Sequence, residues 1–191
     1  MSRECPPRAI SSNTKSSPPN PNRPTSRTVK SLLRLVLAAA CLSLTPTVTA
    51  APAVGSSLPS LGGLLPGAAL PKTSGKVVLV DFWASWCGPC KASFAAMARL
   101  HAKYAGRGLV IIGIGVDEDP AKHQAFAAKN RVGFTLVHDS QQKAAAFFNP
   151  PTMPSSYLVD RSGKIRYIHA GFKSGKTEAE YIQEIEALLA K

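Results

Sequence analysis

The most constraining feature of this chain is a buried-strand pattern that runs directly into a Cys-x-x-Cys turn. Lys76-Val77-Val78-Leu79-Val80 is a short, nearly unbroken apolar run rich in β-branched residues. That pattern suits a central strand buried on both faces. It continues through Asp81-Phe82-Trp83-Ala84-Ser85-Trp86 into Cys87-Gly88-Pro89-Cys90. Past the cysteines the spacing turns helical, with Phe94, Met97, His101 and Tyr104 recurring at intervals of three and four residues. The first sulfur therefore lies at a helix start, among backbone N–H groups without intrahelical partners, where a thiolate is stabilised.

The rest of the chain keeps the strand–helix alternation. Gly106 and Gly108 stop the helix, and residues 109–116 form a strand. Asp119-Pro120 supplies an N-cap with proline at the first helical position, opening a helix to about Asn130. Residues 135–138 form a short strand and 141–148 a short helix. A hairpin follows, with strands at 157–160 and 165–170 around Arg161-Ser162-Gly163. Thr177-x-x-Glu180 reads as a capping box for a closing helix that turns Tyr181, Ile182, Ile185, Leu188 and Leu189 inward. The order implies an α/β fold, a mixed central sheet covered by helices. Three segments are expected: 1–50 as an N-terminal extension and signal, 51–75 as a Gly/Ser/Pro/Leu-rich lead-in on the domain edge, and 76–191 as the folded domain.

The N-terminal segment reads as an export signal. Residues 1–30 are rich in Ser, Pro, Asn and Arg and cannot bury a core. Lys30 and Arg34 precede the apolar run 35–44, and Val48-Thr49-Ala50 is a small-residue cleavage site. The long basic lead points to Val29 as an alternative start. Two other fates compete with cleavage before Ala51: lipidation at Cys41, after Ala38-Ala39-Ala40, or retention as an inner-membrane anchor. Of the four cysteines, only Cys87 and Cys90 remain after cleavage. With no thiols left for a structural disulfide in an oxidising compartment, the periplasm, the pair is expected to do chemistry.

The formal net charge is +12. Residues 1–34 hold seven Lys/Arg and one acid, and residues 51–191 hold sixteen basic and ten acidic side chains, so each carries +6. The charges of 51–191 are scattered, with no basic run interleaved with aromatics, which argues against nucleic acid as a partner.

The decapeptide 81–90 resembles the thioredoxin superfamily: Cys87-Gly88-Pro89-Cys90 as active-site motif, Trp83 and Trp86 at its aromatic positions, and Asp81 six residues before the first cysteine as its buried acid. Met153-Pro154 resembles the cis-proline loop. The two short elements between the second strand and that loop, together with the export signal, resemble the exported TlpA-like thiol-disulfide reductases over residues 76–190. The chain departs from those relatives at Ser93 and Ala95, where they often carry an acid and a helix-kinking proline. The resemblance implies a thioredoxin-like fold with a short insertion before the cis-proline loop. It also implies protein disulfides as substrates, an upstream membrane thiol donor and a monomer. No cofactor or metal is expected beyond the Cys87–Cys90 dithiol.

The chemistry follows from the residue types. A helix terminus contributes about 0.3–1 kcal/mol and one pKa unit is about 1.36 kcal/mol, so local N–H groups must help Cys87 ionise. Cys87 is the expected nucleophile, Cys90 the resolving thiol and Asp81 its proton acceptor. Trp83 is expected in the core, and Trp86 half-exposed as a substrate rim. Gly88, Pro89, Met153 and Pro154 are the expected substrate contacts. His101, His123, His138 and His169 are scattered and read as surface or packing residues, since structural zinc needs four converging ligands. A peroxidase would need a Thr-x-x-Cys nucleophile, and Ala84-Ser85-Trp86-Cys87 does not supply one. The alternatives are a copper-binding protein using both cysteines with Met153, and an oxidase of secreted thiols.

Overall fold

The computed structural model describes residues 51–191. The export signal, the Val29 start, Cys5 and Cys41 lie outside the described residues. Five strands, β1 (Val77–Trp83), β2 (Leu109–Gly115), β3 (Thr135–His138), β4 (Ser155–Val159) and β5 (Ile165–Ala170), form one sheet in the order β3-β2-β1-β4-β5. The helices are α1 (Leu61–Leu64), α2 (Gly88–Tyr104), α3 (Pro120–Asn130), α4 (Lys143–Phe148) and α5 (Lys176–Leu189). Parallel neighbours need long crossovers: α2 carries the chain from β1 to β2 and α3 from β2 to β3, and both pairings are parallel. β4 then enters antiparallel on the other side of β1, with β5 antiparallel beside it. The sheet is thus mixed, as the strand–helix alternation implied.

β1 lies at the centre and all seven of its residues are buried. Its period-two alternation divides the core. Val77, Leu79 and Trp83 join Phe94, Met97 and Leu100 of α2 and Tyr181, Ile185 and Leu188 of α5. Val78, Val80 and Phe82 face a second layer with Ile112, Ile114, Phe148 and Tyr157. Each fully buried side chain of this kind is worth roughly 1.5–3 kcal/mol relative to exposure.

Local signals hold in part. Asp119 caps α3 by accepting from the Ala121 N–H at 2.9 Å, with Pro120 in the first turn. Between α2 and β2 the chain makes a 3-10 turn, Ala105–Arg107, and Gly108, at φ 105°, supplies the left-handed residue; Gly106 is inside that turn. α4 begins at Lys143 rather than 141, β2 ends at Gly115, and β4 starts at Ser155, two residues before the expected strand. The capping box at Thr177 is not formed. The N-cap of α5 is Gly175, and Thr177 Oγ1 instead accepts from the Lys173 N–H at 3.0 Å. Glu180 faces Lys176 and His169. The lead-in packs more deeply than an edge strap, since Leu61 and Leu65 are buried in the second core layer. Its residues 55–58 also pair with the turn and start of β5.

Candidate active site

Cys87 is the N-cap of α2, with extended backbone (φ −81°, ψ 109°) and Pro89 in the first turn. Its Sγ accepts from the Cys90 N–H at 3.2 Å, and its own N–H donates to the Ala84 carbonyl at 3.1 Å. The two sulfurs form a disulfide. Cys87 keeps 4% of its surface exposed and Cys90 none, so an incoming group reaches the first sulfur only. The Cys90 N–H is placed to stabilise negative charge on the Cys87 sulfur, a contribution beyond the helix terminus. Ser93 is buried and donates to the Cys90 carbonyl at 2.9 Å.

Gly88 and Pro89 are exposed beside the disulfide. Trp86 is 69% exposed, well beyond the half-exposed rim expected, because the loop turns its ring outward. Trp83 is fully buried, edge-on to Phe94 and stacked on His123. The Met153–Pro154 peptide is cis; Met153 is half-buried and Pro154 buried. Pro89 and Met153 line one cavity of about 370 Å³ with Phe172, Lys173, Lys176 and Glu180. Of the expected substrate contacts, Pro89 and Met153 thus border a single groove, whereas Trp86 lines a separate one with Val116, Asp117 and Lys122.

Asp81 lies two residues before Trp83 on β1, so it points to the face that α2 and α5 cover, where Cys90 and Tyr181 are also buried. Its surface is fully buried. Oδ1 accepts from Ser156 Oγ at 2.6 Å, and Oδ2 has no partner. Burial pushes its carboxyl up to about 7, against the opposing pull of the Ser156 hydrogen bond. The group therefore exchanges a proton near neutrality.

The histidines pack. His123 is buried on Trp83 and stacks on His138; burial, with His138 beside it, holds its pKa below the ordinary value. His169 contacts Glu184 at 2.7 Å, and His101 is half-buried near Phe134. Among the described residues no group of three or more His, Cys, Asp or Glu side chains converges on a metal-sized site.

Asp117 and Ser156 carry no expectation from the sequence, and Tyr181 is expected there only as an inward-facing core residue. Asp117, buried after β2, accepts from Ser85 Oγ at 2.6 Å and from the Ser85 N–H at 3.0 Å, pinning the loop that leads to Cys87. Ser156 of β4 donates to Asp81, and the Tyr181 hydroxyl of α5 meets Ser156 in turn. An acid directly after an apolar strand is the only sequence signal for Asp117, and nothing local marks Ser156.

Comparison with known proteins agrees with this geometry. A thiol-disulfide oxidoreductase ResA of Geobacillus kaustophilus is 28% identical over 59% of this chain and 64% of its own length. A ResA of Bacillus thuringiensis is 32% identical over 48% of this chain and 53% of its own. The chain therefore spans less than two thirds of the length of these curated relatives. A Chlorobium tepidum structure assigned as a thiol:disulfide interchange protein DsbE superposes with a TM-score of 0.63 at 31% identity, covering 73% of this chain and 99% of that one. Residues 67–168 match the AhpC/TSA family. Those residues take in β1 with its acid, the Cys-x-x-Cys helix start and the cis-proline loop, and the chain accordingly belongs to the AhpC/TSA family as a thioredoxin-like member.

Proposed function

We propose that this protein is a thiol-disulfide oxidoreductase that reduces disulfides of protein substrates outside the cytoplasm. The observation that carries the reading is the Cys87–Cys90 disulfide at the start of α2, one sulfur reachable and one buried, on the face of the sheet that holds Asp81. In the dithiol state Cys87 Sγ⁻ attacks a substrate S–S bond, giving a mixed disulfide and a substrate thiolate that takes a proton from water. The Cys90 thiol passes its proton to Asp81 Oδ2 and attacks Cys87 Sγ. The second substrate sulfur leaves as a thiolate, and two electrons have moved from the enzyme to the substrate. The product is the Cys87–Cys90 disulfide, and a thiol donor at the membrane restores the dithiol. Trp86, Gly88, Pro89, Met153 and Pro154 form the docking rim, where an extended substrate segment adds its backbone beside Met153.

The location rests on the apolar run 35–44 and on the kinship with disulfide-exchange proteins. Among the described residues no helix is long and apolar enough to cross a membrane. N-terminal sequencing of exported protein distinguishes an Ala51 start from a lipid-blocked Cys41 or an uncut anchor.

Cys90→Ala should trap a mixed disulfide with substrate on non-reducing gels, and the adduct should vanish when Cys87 is also replaced. Adducts that persist without Cys87 would reverse the two roles. Direction is read by titration against a glutathione series, since Cys-x-x-Cys potentials span about −270 to −120 mV. A midpoint at the oxidising end would make the protein an oxidase instead.

A further inference from the structure

Asp81 receives different things from the two strands that flank it. On β2 its register partner is Gly113. A Cβ there would lie 2.7 Å from Leu136 Cδ2 and 3.2 Å from Trp83 Nε1, so a side chain on that side would have to displace Leu136 and crowd the indole. On β4 its partner is Ser156, whose Oγ lies 2.6 Å from Asp81 Oδ1 and 2.6 Å from the Tyr181 hydroxyl. All three residues are buried. Ser156 has a single hydroxyl proton. While it donates that proton to Asp81, Tyr181 must be the donor to Ser156. Polarity thus runs one way, from the Tyr181 O–H to Ser156 Oγ and from the Ser156 O–H to Asp81 Oδ1.

We infer that Ser156 and Tyr181 are positioning residues for the proton transfer, a buried two-hydroxyl chain that occupies Oδ1 of Asp81 and leaves Oδ2 as the single atom that takes the Cys90 proton. The inference rests on the oxidoreductase reading above and adds to it two residues and an atom assignment. Oδ2 is buried without a partner, a costly arrangement for a group that stays charged. It is consistent with a group that gains and loses a proton in each cycle. The other ionisable groups around Asp81 fit the same assignment. Cys87 and Cys90, at the N-cap and in the first turn of α2, are buried in the core layer on the same side of β1. From α5, Tyr181 carries Glu180 and Glu184 nearby, and these hold His169 of β5. Burial and the charges of Asp81, Glu184 and Glu180 push the Tyr181 phenol up, so it remains a donor throughout. Because the chain donates to the carboxylate, losing it favours the protonated acid.

The test is an infrared titration of the Asp81 carboxyl in the oxidised full chain without substrate, with Asp81→Asn identifying the band. The wild-type carboxyl should titrate near 7. Ser156→Ala should move the midpoint up by about one pH unit, Tyr181→Phe by less in the same direction, and Ser156→Thr should restore it. In stopped-flow reduction, Ser156→Ala should slow the resolving phase about five-fold at pH 7 and recover near pH 9, leaving the first phase intact. A packing defect alone would not recover with pH. A carboxyl midpoint that stays in place in folded Tyr181→Phe and Ser156→Ala overturns the inference, and Tyr181→Phe suffices where Ser156→Ala fails to fold. Because the infrared titration needs no turnover, it separates this inference from the activity. If midpoints shift while Asp81→Asn leaves the resolving phase unchanged, the hydroxyl chain stands and the proton-acceptor role of Asp81 falls.

Discussion

Val78, Val80 and Phe82 project from one side of β1 into a layer of Ile112, Ile114, Phe148 and Tyr157. From the other side of the same strand, Leu79, Asp81 and Trp83 project into a layer that holds both cysteines, Tyr181 and Ser156. The first layer is largely apolar; its hydroxyls are satisfied, that of Tyr157 reaching the Phe148 carbonyl at 3.4 Å and that of Ser155, the register partner of Phe82, donating to the Thr152 carbonyl at 2.7 Å. The second carries a carboxylate oxygen and an indole nitrogen without partners. One seven-residue strand therefore serves stability on one face and chemistry on the other.

That division can be broken from either side. Cys87→Ser should abolish disulfide reduction entirely, read with a protein substrate. Phe82→Ala, on the opposite face, should cost about 3–5 kcal/mol of stability in denaturant while the midpoint potential of the remaining folded protein stays at the wild-type value. A shifted potential would show that the two layers are coupled. Asp81→Asn should act in the other sense. The Asp81 carboxyl lies near 7 when folded against 3.8 as its ordinary value, so the folded state holds the extra proton between those limits. Stability should then fall as pH rises from about 4 through 7, and Asn should relieve a loss of up to roughly 4 kcal/mol at pH 8 and nothing at pH 4. Equal unfolding midpoints for the two proteins at pH 8 would contradict it. Asp117→Ala should cost about 1–3 kcal/mol, because Ser85 loses its acceptor, and should accelerate hydrogen exchange at the Ser85 amide. Smallest is Trp86→Ala, expected within about 0.5 kcal/mol; it should raise KM for a protein substrate and leave reduction of a small aromatic disulfide unchanged.

The elements that carry the fold were legible because their signals are periodic or local. The apolar run before Asp81, the helical spacing after Cys90 and the Asp119-Pro120 start each need only a few neighbouring residues. Thr177 shows where that reasoning fails. Thr-x-x-Glu fits a cap, but Gly175 takes the N-cap position with φ 78° and the Thr177 hydroxyl turns back to Lys173. The cysteines, the acid and the proline loop were found through resemblance as much as through chemistry. The hydrogen bonds that hold them were not, because the partners are distant in sequence: Ser85 and Asp117 lie 32 residues apart, and Asp81 and Ser156 75 apart. A lone serine in a strand carries no mark of the carboxylate it will meet. The exposure of Trp86 is not legible either, since apolar character is visible in a sequence whereas the direction of a loop is not.

The pairing of residues 55–58 with the start of β5 bears on colloidal behaviour. Gly55 donates to the Ile165 carbonyl, Ile165 donates to that of Ser56, and Leu58 donates to that of Gly163. One border of the sheet is therefore hemmed at its start by the lead-in, and the other border, β3, is only four residues long. Long, bare borders are templates on which other chains add strands and aggregate. A protein of the proposed kind works among partly unfolded clients whose own strands are exposed at the moment their disulfides open. With one border four residues long and the other covered where it begins, it can hold such a client through one sulfur and a groove while offering it less sheet to join.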